Sequence, residues 1–165
     1  MTKNIVLIGF MGSGKSSIAK ALGRRLGRFV IDSDEVIEGI LGESIADFFA
    51  SSGEKAFRLK EAEFIAWINQ SVKNAIISTG GGMPIFNNVA KMGFVVYLEV
   101  GFSQILSRLD SAALSKRPLF SDLDKARELF DLRKEIYAKS ADLVVNANKD
   151  IESIAKNIID KISQI

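Results

Sequence analysis

The sequence predicts an α/β fold in which a parallel sheet is covered by helices on both faces. Short, continuously apolar runs alternate along the chain with segments of helical periodicity. A chain of 165 residues is long enough for one domain with a buried core, so we expect a single domain over 1–165. Apolar residues make up 47% and charged residues 25% of the chain, as in soluble globular proteins.

Five apolar runs are predicted to form the strands of this sheet. Each is short and lacks apolar/polar alternation, as expected of a strand that is buried on both faces. They cover residues 4–9, 29–31, 75–77, 94–98 and 143–145.

Helices are predicted between the strands. The first follows the first strand and can end at Gly27. The pattern is helical over 35–71, with Ser44 as a cap and a break at Gly53. Further helices are predicted over residues 102–110 and 151–162.

Residues 111–124 form the one long stretch without clear periodicity. A loop of this length in a compact domain is commonly a lid or a binding loop. We therefore expect a mobile lid at about 111–124, with Arg117 near its centre.

The composition excludes several kinds of chemistry. The chain has no cysteine and no histidine, which rules out disulfides, zinc sites built on these residues and a Ser-His-Asp triad. A net charge of +2 does not favour nucleic-acid binding, and no apolar run is long enough to span a membrane. We expect a cytoplasmic protein that works with carboxylates, lysine, arginine, hydroxyls, backbone amides and a hard metal such as Mg²⁺.

A glycine-rich motif follows the first strand directly. Residues 9–16 read GFMGSGKS and fit the pattern G-x-x-x-x-G-K-S without a mismatch. Converging backbone N–H groups at a helix N-terminus favour a phosphate, while an exposed Lys15 adds charge and the Ser16 hydroxyl can bind Mg²⁺. The motif predicts binding of a nucleoside triphosphate; the alternative is a strand-to-helix turn with an incidental lysine. The D-x-x-G and N-K-x-D motifs of guanine-specific switches are missing from the sequence.

Two carboxylates follow the second predicted strand. Ligands of such sheets collect at the carboxyl ends of the strands. The third strand ends in Ser-Thr-Gly, without the aspartate that commonly completes a magnesium site there, so Asp32 is the best replacement. Asp34 points the same way and is available for a substrate. The alternative is that both are solvated loop residues or helix caps.

Arginines are further candidates for binding an anionic substrate. Arg58 and Glu61 are three residues apart on a predicted helix, so they share a face and can pair. Such pairs are commonly surface ion pairs that contribute little. Arg108, Arg117 and Arg133 lie in or beside the predicted lid, and taken singly each is more commonly solvated than a ligand.

Several motifs together closely resemble the shikimate kinase family. In chain order they are GFMGSGKS at 9–16, DSD at 32–34, GExxFRxxE at 53–61, STGGG at 78–82, RPL at 117–119 and RxxxY at 133–137. The resemblance implies the three-layer P-loop kinase fold of the nucleoside monophosphate kinases, with a five-stranded parallel sheet of order 2-3-1-4-5. It also implies transfer of the ATP γ-phosphate to the 3-hydroxyl of shikimate, a step of aromatic amino acid biosynthesis.

The resemblance also implies a role for each matching residue. Lys15 and the loop bind ATP phosphates, Ser16 and Asp32 organise Mg²⁺, and Asp34 engages the ring hydroxyls, either as a base or by positioning alone. The implied nucleotide-binding residues are Gly12, Ser13, Gly14, Lys15, Ser16, Ser17, Arg108 near the adenine and Arg117 on the transferring phosphate. The implied substrate-binding residues are Asp34, Arg58, Glu61, Gly80, Gly81, Gly82 and Arg133, with the helical region at about 33–62 contributing to this site; Lys15, Asp34 and Arg117 are the catalytic set.

One position departs from the family pattern. The family often has R-x-P-x-Y where residues 133–137 read RKEIY, and the missing proline lets the helix continue. The sequence leaves open a kinase of another small polyol acid or of a nucleoside monophosphate, and a nucleotide-dependent switch without phosphate transfer. We expect a monomer whose partners are ATP and shikimate, with no nucleic acid and no membrane.

Overall fold

The computed structural model describes residues 3–109 and 118–164. Half of the predicted lid, residues 111–117 including Arg117, therefore lies outside the described residues. The structure nevertheless covers every predicted strand and every other candidate site residue.

Five strands form one parallel sheet. They are β1 (Ile5–Ile8), β2 (Val30–Asp32), β3 (Ile76–Ser78), β4 (Phe94–Glu99) and β5 (Leu143–Asn146). The spatial order β2-β3-β1-β4-β5 confirms the predicted order. The neighbours of β1 on its two sides are β3 and β4, so the carboxyl end of β1 lies where the strand order reverses and a ligand crevice forms.

Helices pack around this sheet. They are α1 (Lys15–Leu26), α2 (Ser33–Leu41), α3 (Ile45–Ser71), α4 (Met83–Phe86), α5 (Phe102–Arg108), α6 (Leu123–Ser140) and α7 (Ile151–Ile162). Short 3-10 turns cover Val89–Met92 and Pro118–Ser121. The predicted break at Gly53 is confirmed as a kink inside α3, where φ is 80° and ψ is 167°.

Two boundaries differ from the prediction because a side chain caps a helix. The Asp32 carboxylate accepts a hydrogen bond from the Asp34 N–H, so α2 begins directly after β2. Asp122 caps α6 in the same way, and the helix begins at Leu123, inside the stretch predicted to be irregular up to residue 124. The helix α6 continues through Arg133, as the missing proline predicts.

The core lies between the sheet and the surrounding helices. All four residues of β1 are buried, which places the residues that follow it at a rigid edge. In the part of the chain that the structure describes, no helix is both long and apolar enough to cross a membrane.

Candidate active site

A cleft of about 770 Å³ lies at the carboxyl edge of the sheet. It brings together the glycine-rich loop, the two carboxylates after β2 and the loop after β3. From the sequence-predicted set it is lined by Gly12, Ser13, Gly14, Lys15, Ser16, Ser17, Asp32, Asp34, Gly80, Gly81 and Arg108.

The glycine-rich loop ends at the first turn of α1. Gly14 is the N-cap of this helix and has φ 93°, a left-handed conformation that favours glycine. The helix N-terminus therefore presents backbone N–H groups and the positive end of the helix dipole to the cleft. Its first turn has no acidic side chain to neutralise them, which suits a phosphate.

The structure corrects the prediction that Lys15 is exposed. The side chain is only 8% exposed, and its Nζ donates hydrogen bonds to the carbonyls of Gly9 at 2.8 Å and Phe10 at 3.0 Å. The loop curls around the ammonium group, because its carbonyls need a donor once they are buried. Lys15 thus stabilises the conformation of the loop and also contributes a positive charge to it.

Ser16 and Asp32 lie beside each other at the rim of the cleft. The Ser16 hydroxyl donates to Asp32 Oδ2 at 3.1 Å, while Asp32 Oδ1 accepts from the Asp34 N–H at 3.0 Å. Asp32 is therefore a helix cap through one oxygen and faces the phosphate loop through the other. A hydroxyl and a carboxylate are the oxygen ligands that Mg²⁺ prefers. Among the described residues no group of three or more Asp, Glu, His or Cys side chains is placed to hold a metal.

Asp34 is held in a narrow space beside the loop after β3. Burial and the neighbouring Asp32 carboxylate raise the pKa of Asp34, while Lys15 opposes the shift. A Cβ built on Gly80 would lie 2.6 Å from Asp34 Oδ1, so this close approach requires glycine. The Gly80 N–H donates to Ser33 Oγ at 2.9 Å. The Gly80 amide is therefore engaged within the protein in this structure.

The Arg58 guanidinium is fixed between two carboxylates of its own helix. Its Nη1 lies 2.8 Å from Glu61 Oε1, and its Nη2 lies 2.8 Å from Glu54 Oε1. The rings of Phe49, Phe57 and Phe86 surround it, the last with its centroid 4.3 Å from Cζ. The predicted pairing of Arg58 with Glu61 is confirmed, but the pair is not a solvated surface pair, because the Glu61 side chain is only 1% exposed.

Sequence reasoning missed Asn87, which completes this cluster. Its Nδ2 donates to Glu61 Oε2 at 3.2 Å and to the Arg58 carbonyl at 3.4 Å. Burial raises the pKa of Glu61, and the Arg58 guanidinium acts against that shift. No motif includes Asn87; it reaches Glu61 only because α4 folds back onto α3.

Arg133 lies on α6, which packs against α4. Its Nε is buried and has no hydrogen-bond partner within the described ranges. A buried guanidinium nitrogen without a partner is suited to bind an anion.

The glycine loop after β3, residues 80–82, runs close beside Arg58. A Cβ built on Gly82 would lie 2.5 Å from Arg58 Nη2.

Two further features at this edge were missed. The sequence points to Tyr137 only as the last residue of the RxxxY motif, without a role. Its hydroxyl donates to the Gly81 carbonyl at 2.6 Å. Lys149 and Asp150 line the cleft beside Arg108, whose Nη2 donates to the Ala147 carbonyl at 2.6 Å. Lys149 and Asp150 lie in the loop that follows β5, so the rule that ligands bind at strand ends already pointed to this loop.

Comparisons with known proteins point to one family. Residues 11–163 match the family model described as shikimate kinase. A curated shikimate kinase from Helicobacter hepaticus is 48% identical over 158 residues, which covers 96% of this chain and 95% of that protein. One from Symbiobacterium thermophilum is 33% identical over 169 residues, covering 98% and 97%.

Solved structures agree with the sequence matches. A shikimate kinase from Acinetobacter baumannii in complex with shikimate has a TM-score of 0.86 at 30% identity, covering 98% of this chain and 93% of that one. The shikimate kinase from Aquifex aeolicus has a TM-score of 0.81 at 32% identity, covering 98% and 96%. A deoxyadenosine kinase from M. mycoides, at 16% identity and a TM-score of 0.66, shares the fold.

Proposed function

This chain belongs to the shikimate kinase family, and we propose that it transfers the γ-phosphate of ATP to the 3-hydroxyl of shikimate, giving shikimate 3-phosphate and ADP. The observation that carries this proposal is the position of Asp34. Its half-buried carboxylate shares one cleft with the phosphate-binding loop. An acceptor hydroxyl bound at Asp34 would therefore lie next to the terminal phosphate of the nucleotide, as in-line transfer requires.

On the nucleotide side, the N–H groups of the loop and of the first turn of α1 bind the phosphates. Phosphate oxygens compete with the Gly9 and Phe10 carbonyls for Lys15 Nζ, which then neutralises charge during transfer. Arg108, anchored on the Ala147 carbonyl, lines the cleft, and we assign it to the adenine as the family resemblance implies. Arg117, outside the described residues, keeps the role that the family motif implies, contact with the transferring phosphate.

Ser16 and Asp32 would hold Mg²⁺. The two oxygens already face each other at 3.1 Å, and both are hard donors. The ion supplies neutralisation of charge on the phosphates. Because these residues give two protein ligands, the remaining positions are left for phosphate oxygens and water.

On the acceptor side, Asp34 aligns the ring hydroxyl and accepts its proton. Its raised pKa makes it a stronger base than an ordinary aspartate. Arg58 and Arg133 bind the shikimate carboxylate, and Glu61 keeps Arg58 in place. The helical region at about 33–62 thus carries much of the acceptor site. We further propose a monomer, and we place the enzyme in the cytoplasm, where ATP is available.

Measurement of ADP release with different acceptors tests this proposal. We expect MgATP turnover with shikimate to exceed turnover with gluconate, with AMP and without acceptor by at least about 100-fold, the contribution typical of a correctly oriented acceptor. Equal ADP release in all four reactions would favour a nucleotide-dependent switch. A preference for AMP would identify a nucleoside monophosphate kinase.

A further inference from the structure

We infer that Tyr137 is a positioning residue for the acceptor site, because it sets the orientation of the Gly81–Gly82 peptide. This inference rests on the proposed function. It concerns a residue of α6 that lies 56 positions from its partner in the sequence.

The contact itself is short, and its donor residue is buried. The Tyr137 hydroxyl donates to the Gly81 carbonyl at 2.6 Å, and the whole residue is only 1% exposed. Its ring packs against Tyr97 with centroids 5.4 Å apart and the two ring planes tilted by 39°. This packing fixes the ring, and the ring in turn fixes the position of the donor, so the hydrogen bond has little freedom to follow a moving loop.

A peptide bond connects this contact to the acceptor site. The Gly81 carbonyl and the Gly82 N–H belong to one planar trans unit and point in opposite directions. Holding the carbonyl therefore also aims the Gly82 N–H. Such control is needed here because a peptide between two glycines meets little steric resistance to rotation. Gly82 lies directly beside Arg58, where a Cβ would approach Nη2 to 2.5 Å.

The charges around the hydroxyl fit the same role. Burial raises the pKa of Tyr137 to about 12, although the guanidinium groups of Arg133 and Arg58 both act to lower it. The hydroxyl therefore keeps its proton at neutral pH and remains a donor. Tyr137 thus lies near the two arginines proposed to bind the shikimate carboxylate, and it also contacts the glycine loop.

The test is the Tyr137→Phe variant, which removes only the hydroxyl, with Tyr97→Phe as the matched control. In Tyr137→Phe we expect the KM for shikimate to rise about 5- to 10-fold, the effect of losing one buried hydrogen bond, while the KM for ATP stays within about twofold. The ¹³C resonance of the Gly81 carbonyl should move upfield, because it loses its donor. Tyr97→Phe should change neither property.

The possible outcomes separate the inference from the proposed function. A wild-type protein without shikimate-dependent ADP release would overturn both. An active wild type with an unchanged KM for shikimate in Tyr137→Phe, or an unchanged Gly81 carbonyl resonance, would overturn the inference alone. A fall in thermal stability with equal effects on both KM values would make Tyr137 a packing residue and would also overturn it.

Discussion

The phosphate side and the acceptor side of the cleft are built in different ways. The phosphate side comes from one continuous segment, residues 9–16, in which glycines and the start of α1 present backbone groups. The acceptor side combines α2, α3, α4, α6 and the loop after β3, and several of its side chains support one another. Local backbone geometry is enough to bind a phosphate, whereas a planar carboxylate and a ring hydroxyl require side chains held from several elements.

Because of this difference, we expect substitutions on the two sides to have different kinetic effects. Loss of a phosphate-side group removes charge stabilisation that develops during transfer, so it should lower kcat. Loss of an acceptor-side support should raise the KM for shikimate, because it loosens a group that binds the substrate before transfer.

The largest effect is expected at Asp34, because this acceptor-side carboxylate is proposed to take part in the transfer itself, whereas Asp32 is proposed to hold Mg²⁺. We expect Asp34→Asn to lower kcat by about 10²- to 10⁴-fold, the range typical of general base catalysis, with MgATP affinity within a few-fold of wild type. Asp32→Asn should instead raise the Mg²⁺ concentration needed for half-maximal activity. Titration of both variants with Mg²⁺ measures this, and the same defect in both would disprove the division of labour.

Asp34→Asn should also stabilise the fold at pH 7. The folded pKa of Asp34 is raised above its ordinary value, so its protonated form favours the native state at low pH. That contribution is lost as pH rises through the raised pKa, because the native carboxylate must then ionise in a partly buried environment next to the Asp32 carboxylate. Replacing the carboxylate should therefore increase Tm at pH 7, whereas a lower Tm would show that the charge stabilises the loop.

The next largest effect is expected on the phosphate side, at Lys15. Lys15→Ala should lower kcat by at least about 100-fold, since a group that stabilises transition-state charge is lost. It should also lower Tm while the fold is retained, because the Gly9 and Phe10 carbonyls lose their donor. Lys20→Ala, an exposed position on the same helix, is the control. A variant with more than about a tenth of wild-type kcat would contradict the assignment of Lys15.

On the acceptor side, Arg58→Ala should raise the KM for shikimate about 10- to 150-fold and the KM for ATP far less. Arg58→Lys should recover only part of this, because an ammonium group lacks the planar two-pronged geometry. Arg127→Ala is a matched control, because Arg127 also pairs with a carboxylate four residues away and lies over a phenylalanine ring. An unchanged KM in Arg58→Ala would return Arg58 to the class of structural ion pairs.

The smallest effect is expected at Asn87, which donates to Glu61 and to the Arg58 carbonyl but is not itself proposed to bind the substrate. Asn87→Ala should raise the KM for shikimate a few-fold, since Glu61 loses one hydrogen bond and holds Arg58 less firmly. Asn88→Ala is the control, because among the described residues that side chain bonds only within its own turn, where it accepts from the Ala90 N–H. Equal KM values in the two variants would show that Glu61 needs no help from Asn87.

The sequence by itself determined the parts of the molecule that depend on neighbours along the chain. Continuous apolar runs identified the strands, and a motif of eight consecutive residues identified the phosphate loop between β1 and α1. The break at Gly53 and the pairing of Arg58 with Glu61 also follow from local spacing. The order of the strands came from the resemblance to a known family, since periodicity alone does not rank them.

Only the tertiary structure decided how the side chains of the site are held. It buried Lys15 against loop carbonyls, engaged the Gly80 amide with Ser33, and brought Asn87 and Tyr137 to partners 26 and 56 residues away. The contacts of Asn87 and Tyr137 depend on how α4 packs against α3 and α6, and that placement is set by packing of the whole core. Spacing along a chain carries no record of it, because hydrogen bonds between distant residues form only once the core has brought their elements together.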